Sequence, residues 1–457
     1  MMRLSDVAQA TGGRLIGADV AIEAVGTDTR KSLAGQLFIA LRGDRFDGHE
    51  YLAQAASGGA VAALVDTRDG EPTDLPLPVV AVDDTRLALG RLAAWWRARF
   101  DLPLIGVTGS NGKTSVKEMC AAILRADAHV AGKGDDTVLA TRGNLNNDIG
   151  MPMMLLELRE SHRAAVLEMG MNQPGEIAYL TDIARPTVAL VNNAQRAHLA
   201  GMGGLVEVAV EKGTIYGGLG TQGVAVVNAD DSHADHWIAL NTGRTVLRFG
   251  LDKPAEVSAT ATVQGLGSRV KLTTPQGERE FLLQVPGLHN VRNACAAAAA
   301  CLAAGVPLDV VAQGLSEYAG TKGRLQVRRA EHGATLLDDT YNANPDSVRA
   351  GLDVLAMTPG RKLFVFGDMG EIGDRAAQYH DEIGGYAKSQ GVDMMFALGE
   401  HSALAARNFG EGGAHFDSVD ALIVALRHEL APGTVVLVKG SRFMKMERVS
   451  DAIAVKE

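Results

Sequence analysis

The sequence predicts a three-domain α/β protein. A small N-terminal α/β domain spans 1–82, a central domain (83–318) carries a mainly parallel sheet with an antiparallel excursion, and a C-terminal doubly wound domain spans 319–457. Three observations lead there. The chain has 457 residues, roughly three times a typical domain. From Leu104 onward short β-like runs alternate with helical periods, the pattern of a parallel sheet covered by helices on both faces. A glycine-rich loop lies between one such run and a helix, where sheets of this kind bind phosphate.

The elements follow in order. In the first segment the runs Leu37 to Leu41, Val61 to Val65 and Val79 to Val82 read as strands, with a short helix around Tyr51 to Ala56. A helical stretch, Thr85 to Arg99, leads into the strand Leu104 to Thr108. Further strands are expected at Ala164 to Leu167, Thr187 to Val191 and Val224 to Val227. Between Glu256 and Val285, near-alternating Val, Thr and Leu runs are punctuated by Gly265, Gly267 and Gly277, the mark of antiparallel hairpins. Past Gly320, alternation resumes with strands at Leu363 to Phe366, Met395 to Leu398 and Val435 to Val438, a Rossmann-like pattern. No internal repeat is visible.

Composition narrows the class of protein. Hydrophobic residues make up 46% and charged residues 21%, as in soluble globular chains. Lys and Arg number 44 against 54 Asp and Glu, a net charge of −10, which disfavours nucleic acid as a partner. The longest apolar run, Ala294 to Ala304, stops at Gly305, short of a membrane span. The start, Met1 to Val7, carries no secretory signal, so a cytoplasmic protein with no membrane insertion is expected. Cys120, Cys295 and Cys301 are odd in number, lack C-x-x-C spacing and sit in Ala/Leu/Met-rich segments, as inert core thiols do.

The strongest chemical signal is Gly106-Val107-Thr108-Gly109-Ser110-Asn111-Gly112-Lys113-Thr114-Ser115. Backbone N–H groups of such a loop, with the helix N-terminus behind it, surround phosphate oxygens; Lys113 adds a point charge and Thr114 a hydroxyl for Mg²⁺. The strict pattern would put glycine where Val107 stands, so the motif is a shifted variant. The following helix repeats its apolar residues as Val116, Met119, Cys120, Ile123 and Leu124. No guanine-reading Asn-Lys-x-Asp occurs, which favours ATP over GTP.

Downstream, Glu168 closes an apolar run and should project from the carboxyl end of a strand, where it can hold Mg²⁺ or be a plain surface acid. His198 follows the next strand in the same way, although a lone loop histidine is more often solvated. Lys212 lies among acids on a helix, and read by spacing alone it is a surface ion pair.

Taken together these residues resemble the ATP-dependent Mur ligases of peptidoglycan synthesis, over essentially the whole chain. The resemblance rests on Thr27-Asp28-Thr29-Arg30, Leu37 to Gly43 and Phe46-Asp47-Gly48-His49 in the first domain. In the second it rests on the shifted phosphate loop, Arg142 to Gly150, Glu168-Met169-Gly170 and Gly287-Leu288-His289-Asn290. In the third, Asp338 to Ser347, Phe366 to Gly373 and Val438 to Arg442 match the branch that adds D-alanyl-D-alanine. The Asp-Asn-Pro-Arg of MurE, the preceding ligase, is absent.

The resemblance implies an amide ligase that joins D-alanyl-D-alanine to UDP-N-acetylmuramoyl-tripeptide through an acyl phosphate, using ATP and Mg²⁺, as a cytoplasmic monomer. It implies that Gly109, Ser110, Asn111, Gly112, Lys113, Thr114 and Ser115 hold the ATP phosphates, with Asn290 by the adenine and Arg324 and Asp339 reaching over from the third domain. Thr114 and Glu168 would hold one Mg²⁺. His198 and a carbamylated Lys212 would serve a second. Thr27, Asp28, Thr29, Arg30, Asp47, Gly48 and His49 would bind the UDP substrate, with Asn144, Asn146 and Asn147 near its peptide; Thr29 stands where the family usually has serine. Tyr341, Asn342 and Asn344 would meet the dipeptide. Folylpolyglutamate synthase shares the ligase core but lacks a UDP-binding first domain, and a non-catalytic nucleotide-binding scaffold would not need Lys113, Glu168, His198 and Lys212 together.

Overall fold

A computed structural model of the protein describes residues 1–44, 46–68, 70, 75–197 and 199–455. Its first sheet has five strands in the order Arg14–Ile16, Val79–Val82, Ala62–Asp66, Gln36–Ile39, Ala24–Gly26. The last four are mutually parallel and Arg14–Ile16 runs against them. Ala62–Asp66 and Val79–Val82 are buried at every position, as strands covered on both faces must be. The expected short helix forms at Leu52–Ser57.

The helix Thr85–Arg97 links this sheet to the next. Asp84 caps it, its carboxylate accepting the N–H groups of Arg86 and Leu87 at 2.8 and 3.0 Å. It ends two residues before the expected Arg99. Its buried Leu89, Leu92 and Trp96 belong to one apolar core that runs from Leu4 and Leu64 to Met154 and Ile183, so the first and second sheets are joined through packed side chains as well as through the chain.

The central sheet has nine strands, in the order Val138–Ala140, Ala164–Glu168, Leu104–Thr108, Val188–Val191, Val224–Asn228, Thr245–Gly250, Val257–Gln264, Gly267–Thr274, Gly277–Leu283. The first seven pair in parallel and the last two turn back as antiparallel hairpins. The excursion therefore extends the sheet. Helices Lys113–Val130 and Leu288–Ala303 cover one face, and Ala294 to Ala300 are fully buried, small side chains that let helix and sheet approach closely. The three cysteines are free and buried there.

The third sheet runs Gln326–Arg329, Thr335–Asp339, Thr434–Lys439, Arg361–Gly367, Met394–Leu398, Gly413–Phe416, parallel except for its first pair. The chain leaves Thr335–Asp339 and returns at Arg361–Gly367, on the far side of Thr434–Lys439. Such a crossover leaves a crevice at the carboxyl ends of those strands, where Asp339, Lys439 and Asp368 stand. Among the described residues no helix is long and apolar enough to cross a membrane.

Candidate active site

The phosphate loop hangs from the carboxyl end of Leu104–Thr108, a strand flanked on both sides by parallel neighbours. Gly112, the last loop residue, has φ +78°, and a Cβ there would lie 2.6 Å from both Asn192 Nδ2 and Asn293 Oδ1. Only glycine meets both conditions. Gly112→Ala is accordingly expected to cost about 2 kcal/mol or more of stability and to abolish ADP binding, measured by thermal melting and calorimetry.

The segment Asn192-Asn193-Ala194-Gln195, following the next strand, braces the loop from the side. Ser110 N–H donates to the Asn193 carbonyl at 2.9 Å, and the Ser110 hydroxyl donates to the Gln195 carbonyl at 3.0 Å. Asn111 N–H donates to Asn193 Oδ1 at 2.8 Å, while its carbonyl accepts from Asn192 Nδ2 at 2.9 Å. Lys113 Nζ donates to the Gly109 carbonyl at 2.6 Å. Burial lowers the pKa of this ammonium, Glu168 pulls it back up and the Arg324 charge lowers it further.

Glu168 stands where its strand ends, almost fully buried, and the Thr114 hydroxyl donates to its Oε2 at 3.0 Å. Asn146 Nδ2 donates to Oε1 at 2.7 Å, so of the three asparagines expected near the peptide this one orients the acid. Asn147 is used locally, accepting the Gly150 N–H at 2.8 Å. Lys212 is 1% exposed. That corrects the surface ion-pair reading: the lysine is on the inner face of helix Leu205–Gly213, and no carboxylate among the described residues pairs with it. Burial first and the Lys113 charge second push its pKa well below the ordinary value, with Glu211 pulling the other way. His198 lies outside the described residues.

The third domain closes over this loop. Arg324 Nη2 donates to the Thr114 hydroxyl at 3.3 Å while its guanidinium lies 4.0 Å over the Tyr341 ring. Asp339 pairs with buried Lys439 at 2.5 Å, and Lys439 also donates to the Asn342 carbonyl at 3.0 Å. Two cavities result. One, of about 490 Å³, is lined by Ser115, Asn228, Asp230, Asn290, Arg292 and Asp339. The other, of about 300 Å³, is lined by Ser110, Lys113, Asn144, Asn147, Glu168, Tyr341, Asn342, Asn344 and Arg442. Asn111, Gly112, Thr114 and Arg324 line both, so the phosphate loop is the shared wall.

Three family models match the chain: Mur ligase family, catalytic domain, over residues 21–97; Mur ligase middle domain, over 107–301; and Mur ligase, glutamate ligase domain, over 323–442. A UDP-N-acetylmuramoyl-tripeptide--D-alanyl-D-alanine ligase of Escherichia coli strain K12 is 43% identical over 98% of both chains. The chain belongs to the Mur ligase family. The crystal structure of MurF from Acinetobacter baumannii superposes with a TM-score of 0.90 at 36% identity, covering 99% of this chain and 98% of that one. MurF ligase from Thermotoga maritima, solved in complex with ADP, superposes with a TM-score of 0.81 at 26% identity, covering 95% and 98%.

In this Mur ligase Thr27 to Arg30 and Asp47 to His49, expected to bind the UDP moiety, line neither cavity. Thr27 and Thr29 are half-buried. Arg30 is exposed and hydrogen-bonds Asp28, which brings that carboxyl down to about 2. Asp47 and His49 turn inward: His49 Nδ1 meets Asp47 Oδ1 at 2.6 Å, and its Nε2 accepts the Asp66 N–H at 3.0 Å. A Cβ on Gly48 would lie 2.7 Å from the Leu41 backbone. This loop is thus set by packing, and it offers backbone and shape more than side-chain groups.

Sequence reading passed over several residues of the site. Asn192, Asn193, Gln195 and Arg196 were visible only as a polar run after a buried strand, and Lys439 only as part of the Val438 to Arg442 motif, with no role given to it. Asn344 lines the smaller cavity and is also tied to the protein. Its side chain caps helix Pro345–Met357 by accepting the Ser347 N–H at 2.9 Å and donates to Asn111 Oδ1 at 2.7 Å, which leaves little of the amide for a dipeptide.

Proposed function

We propose that this protein is the ADP-forming ligase that joins D-alanyl-D-alanine to UDP-N-acetylmuramoyl-tripeptide. The observation that carries the reading is the pair of cavities meeting at the phosphate loop, one suited to ATP and the other opening on Glu168, Tyr341 and Arg442. The names of the E. coli relative and of the A. baumannii and T. maritima structures support it. Residues 1–82 would hold the UDP moiety, 83–318 the ATP and 319–457 the dipeptide. The reaction would run in the cytoplasm on a monomer.

The tripeptide carboxylate attacks the γ-phosphorus of ATP, ADP leaves, and the dipeptide amine displaces phosphate from the acyl phosphate. The substrates bring both nucleophiles, so the protein's task is alignment and charge neutralisation. Loop N–H groups and Lys113 take the phosphates, Arg324 reaches the same point from the third domain, and Asn290 lines the nucleotide cavity. Docking of the third domain shields the acyl phosphate from water.

Thr114 and Glu168 present two oxygens 3.0 Å apart beside the loop, a donor set that suits Mg²⁺ with the phosphates completing it. Mg²⁺ supplies charge neutralisation at the transferring phosphoryl group. A second ion, expected at His198 and Lys212, would gain an anionic oxygen from Lys212 only if that lysine is carbamylated.

Phosphate release is expected to require UDP-muramoyl tripeptide and D-alanyl-D-alanine together. Equal turnover with single amino acids in place of the dipeptide would refute the assignment, and ADP formation independent of any acceptor would favour the scaffold reading.

A further inference from the structure

Two points join the third domain to the phosphate loop and its bracing segment, where Asn111 lines both cavities, Asn344 the smaller and Asp346 the larger. At the first, Asn111 and Asn344 exchange amide hydrogen bonds, Asn344 Nδ2 to Asn111 Oδ1 at 2.7 Å and Asn111 Nδ2 to Asn344 Oδ1 at 3.3 Å. At the second, two residues along the same helix, Asp346 takes the Arg196 guanidinium at 2.6 Å and the Arg196 N–H at 2.9 Å.

Both contacts end on the hardware that shapes the loop. Every polar group of Asn111 is engaged: its N–H with Asn193, its carbonyl with Asn192 and Asn193, and its Nδ2 with Gln195 Oε1 at 2.6 Å. Arg196 follows Gln195 directly in the bracing segment. On the other side Asn344 is held rigidly, since its Oδ1 accepts from Ser347 N–H while its own N–H donates to Ser347 Oγ at 3.0 Å, a reciprocal cap. A rigid helix end therefore presses on a loop residue with no remaining freedom.

We propose that Asn344 and Asp346 are positioning residues for phosphoryl transfer: they act through Asn111 and Arg196 as a two-point clasp that brings the phosphate loop into its reactive geometry when the third domain docks. Transfer is then fast only with the dipeptide-bearing domain in place, because the same docking delivers Arg324 to Thr114. The proposal rests on the ligase reading above and gives Asn344 a role distinct from dipeptide contact.

Asn344→Ser tests it. Serine caps a helix as well as asparagine does, adds no charge and is too short to reach Asn111. The clasp requires kcat to fall about tenfold or more, with the KM for D-alanyl-D-alanine within about twofold and the melting temperature within a few degrees. A purely structural cap predicts wild-type kcat, and a dipeptide contact predicts a raised dipeptide KM with kcat retained; either result overturns the clasp. Should Asn344→Ser fold poorly, Arg196→Gln is judged by the same split. If the wild-type enzyme shows no turnover with these substrates, the ligase reading fails, and small-angle scattering of the ADP-bound protein decides the clasp separately: a larger radius of gyration in Asn344→Ser supports it, and an unchanged one overturns it.

Discussion

Lys113→Ala is expected to lower kcat about a thousandfold while the affinity for UDP-N-acetylmuramoyl-tripeptide stays within about twofold. The lysine sits in the loop with its Nζ on the Gly109 carbonyl at 2.6 Å and on the Ser110 carbonyl at 3.4 Å. In the proposed reaction it serves the phosphates held by that loop, whereas the candidate UDP residues Thr27 to Arg30 and Asp47 to His49 belong to a different domain. A charge that grows on the transferring phosphoryl group is worth more to that cation than a ground-state contact, so the loss appears in kcat. Calorimetry with the UDP substrate checks the point: if its binding collapsed along with activity, Lys113 would be holding the loop together instead of serving the reaction.

Lys212→Ala is expected to lower turnover about a hundredfold or more with the fold intact, and added formate or acetate should restore part of it. A buried ammonium beside Lys113 is costly in both respects, desolvation and like charge, which is why its pKa falls well below the ordinary lysine value. The neutral amine so favoured is the form that reacts with CO₂, and the product is an anionic oxygen ligand in place of a cation. Raising pH increases the neutral fraction and removing bicarbonate depletes CO₂. Wild-type activity should therefore fall in rigorously bicarbonate-free buffer and recover on its addition, a response Lys212→Ala lacks. Near-normal kcat in Lys212→Ala at saturating ATP would remove the residue from the site.

The three-domain order, the buried strands such as Leu104–Thr108 and Ala164–Glu168, and the glycine-rich loop were legible in the sequence, because each depends on local periodicity and on neighbours within about ten residues; strands such as Val138–Ala140, Thr245–Gly250 and Gln326–Arg329 were not named from it. The run Ala164 to Glu168 was readable as a strand with an acid at its carboxyl end, and the Gly112-Lys113 step as the start of a helix. The three buried cysteines were equally local, since an Ala-rich helix hides whatever small side chains it carries.

What the tertiary structure alone decided are the facts that depend on which segments meet. Lys212 looked like a surface cation because its helix carries acids at Glu207 and Glu211, but Glu211 accepts the Ile177 N–H at 2.8 Å and the lysine faces inward. For Asn344 the resemblance implied a dipeptide contact but no protein partner; that partner, Asn111, is more than two hundred residues away, a distance over which no pattern in the chain carries a signal. Lys439, legible only as part of a motif, meets Asp339 because its strand inserts beside Thr335–Asp339 and sets its ammonium against that carboxylate. Periodicity fixes which face of an element is apolar, whereas the hydrogen bonds of a polar residue depend on geometry that arises only when sheets and loops from distant parts of the chain have packed.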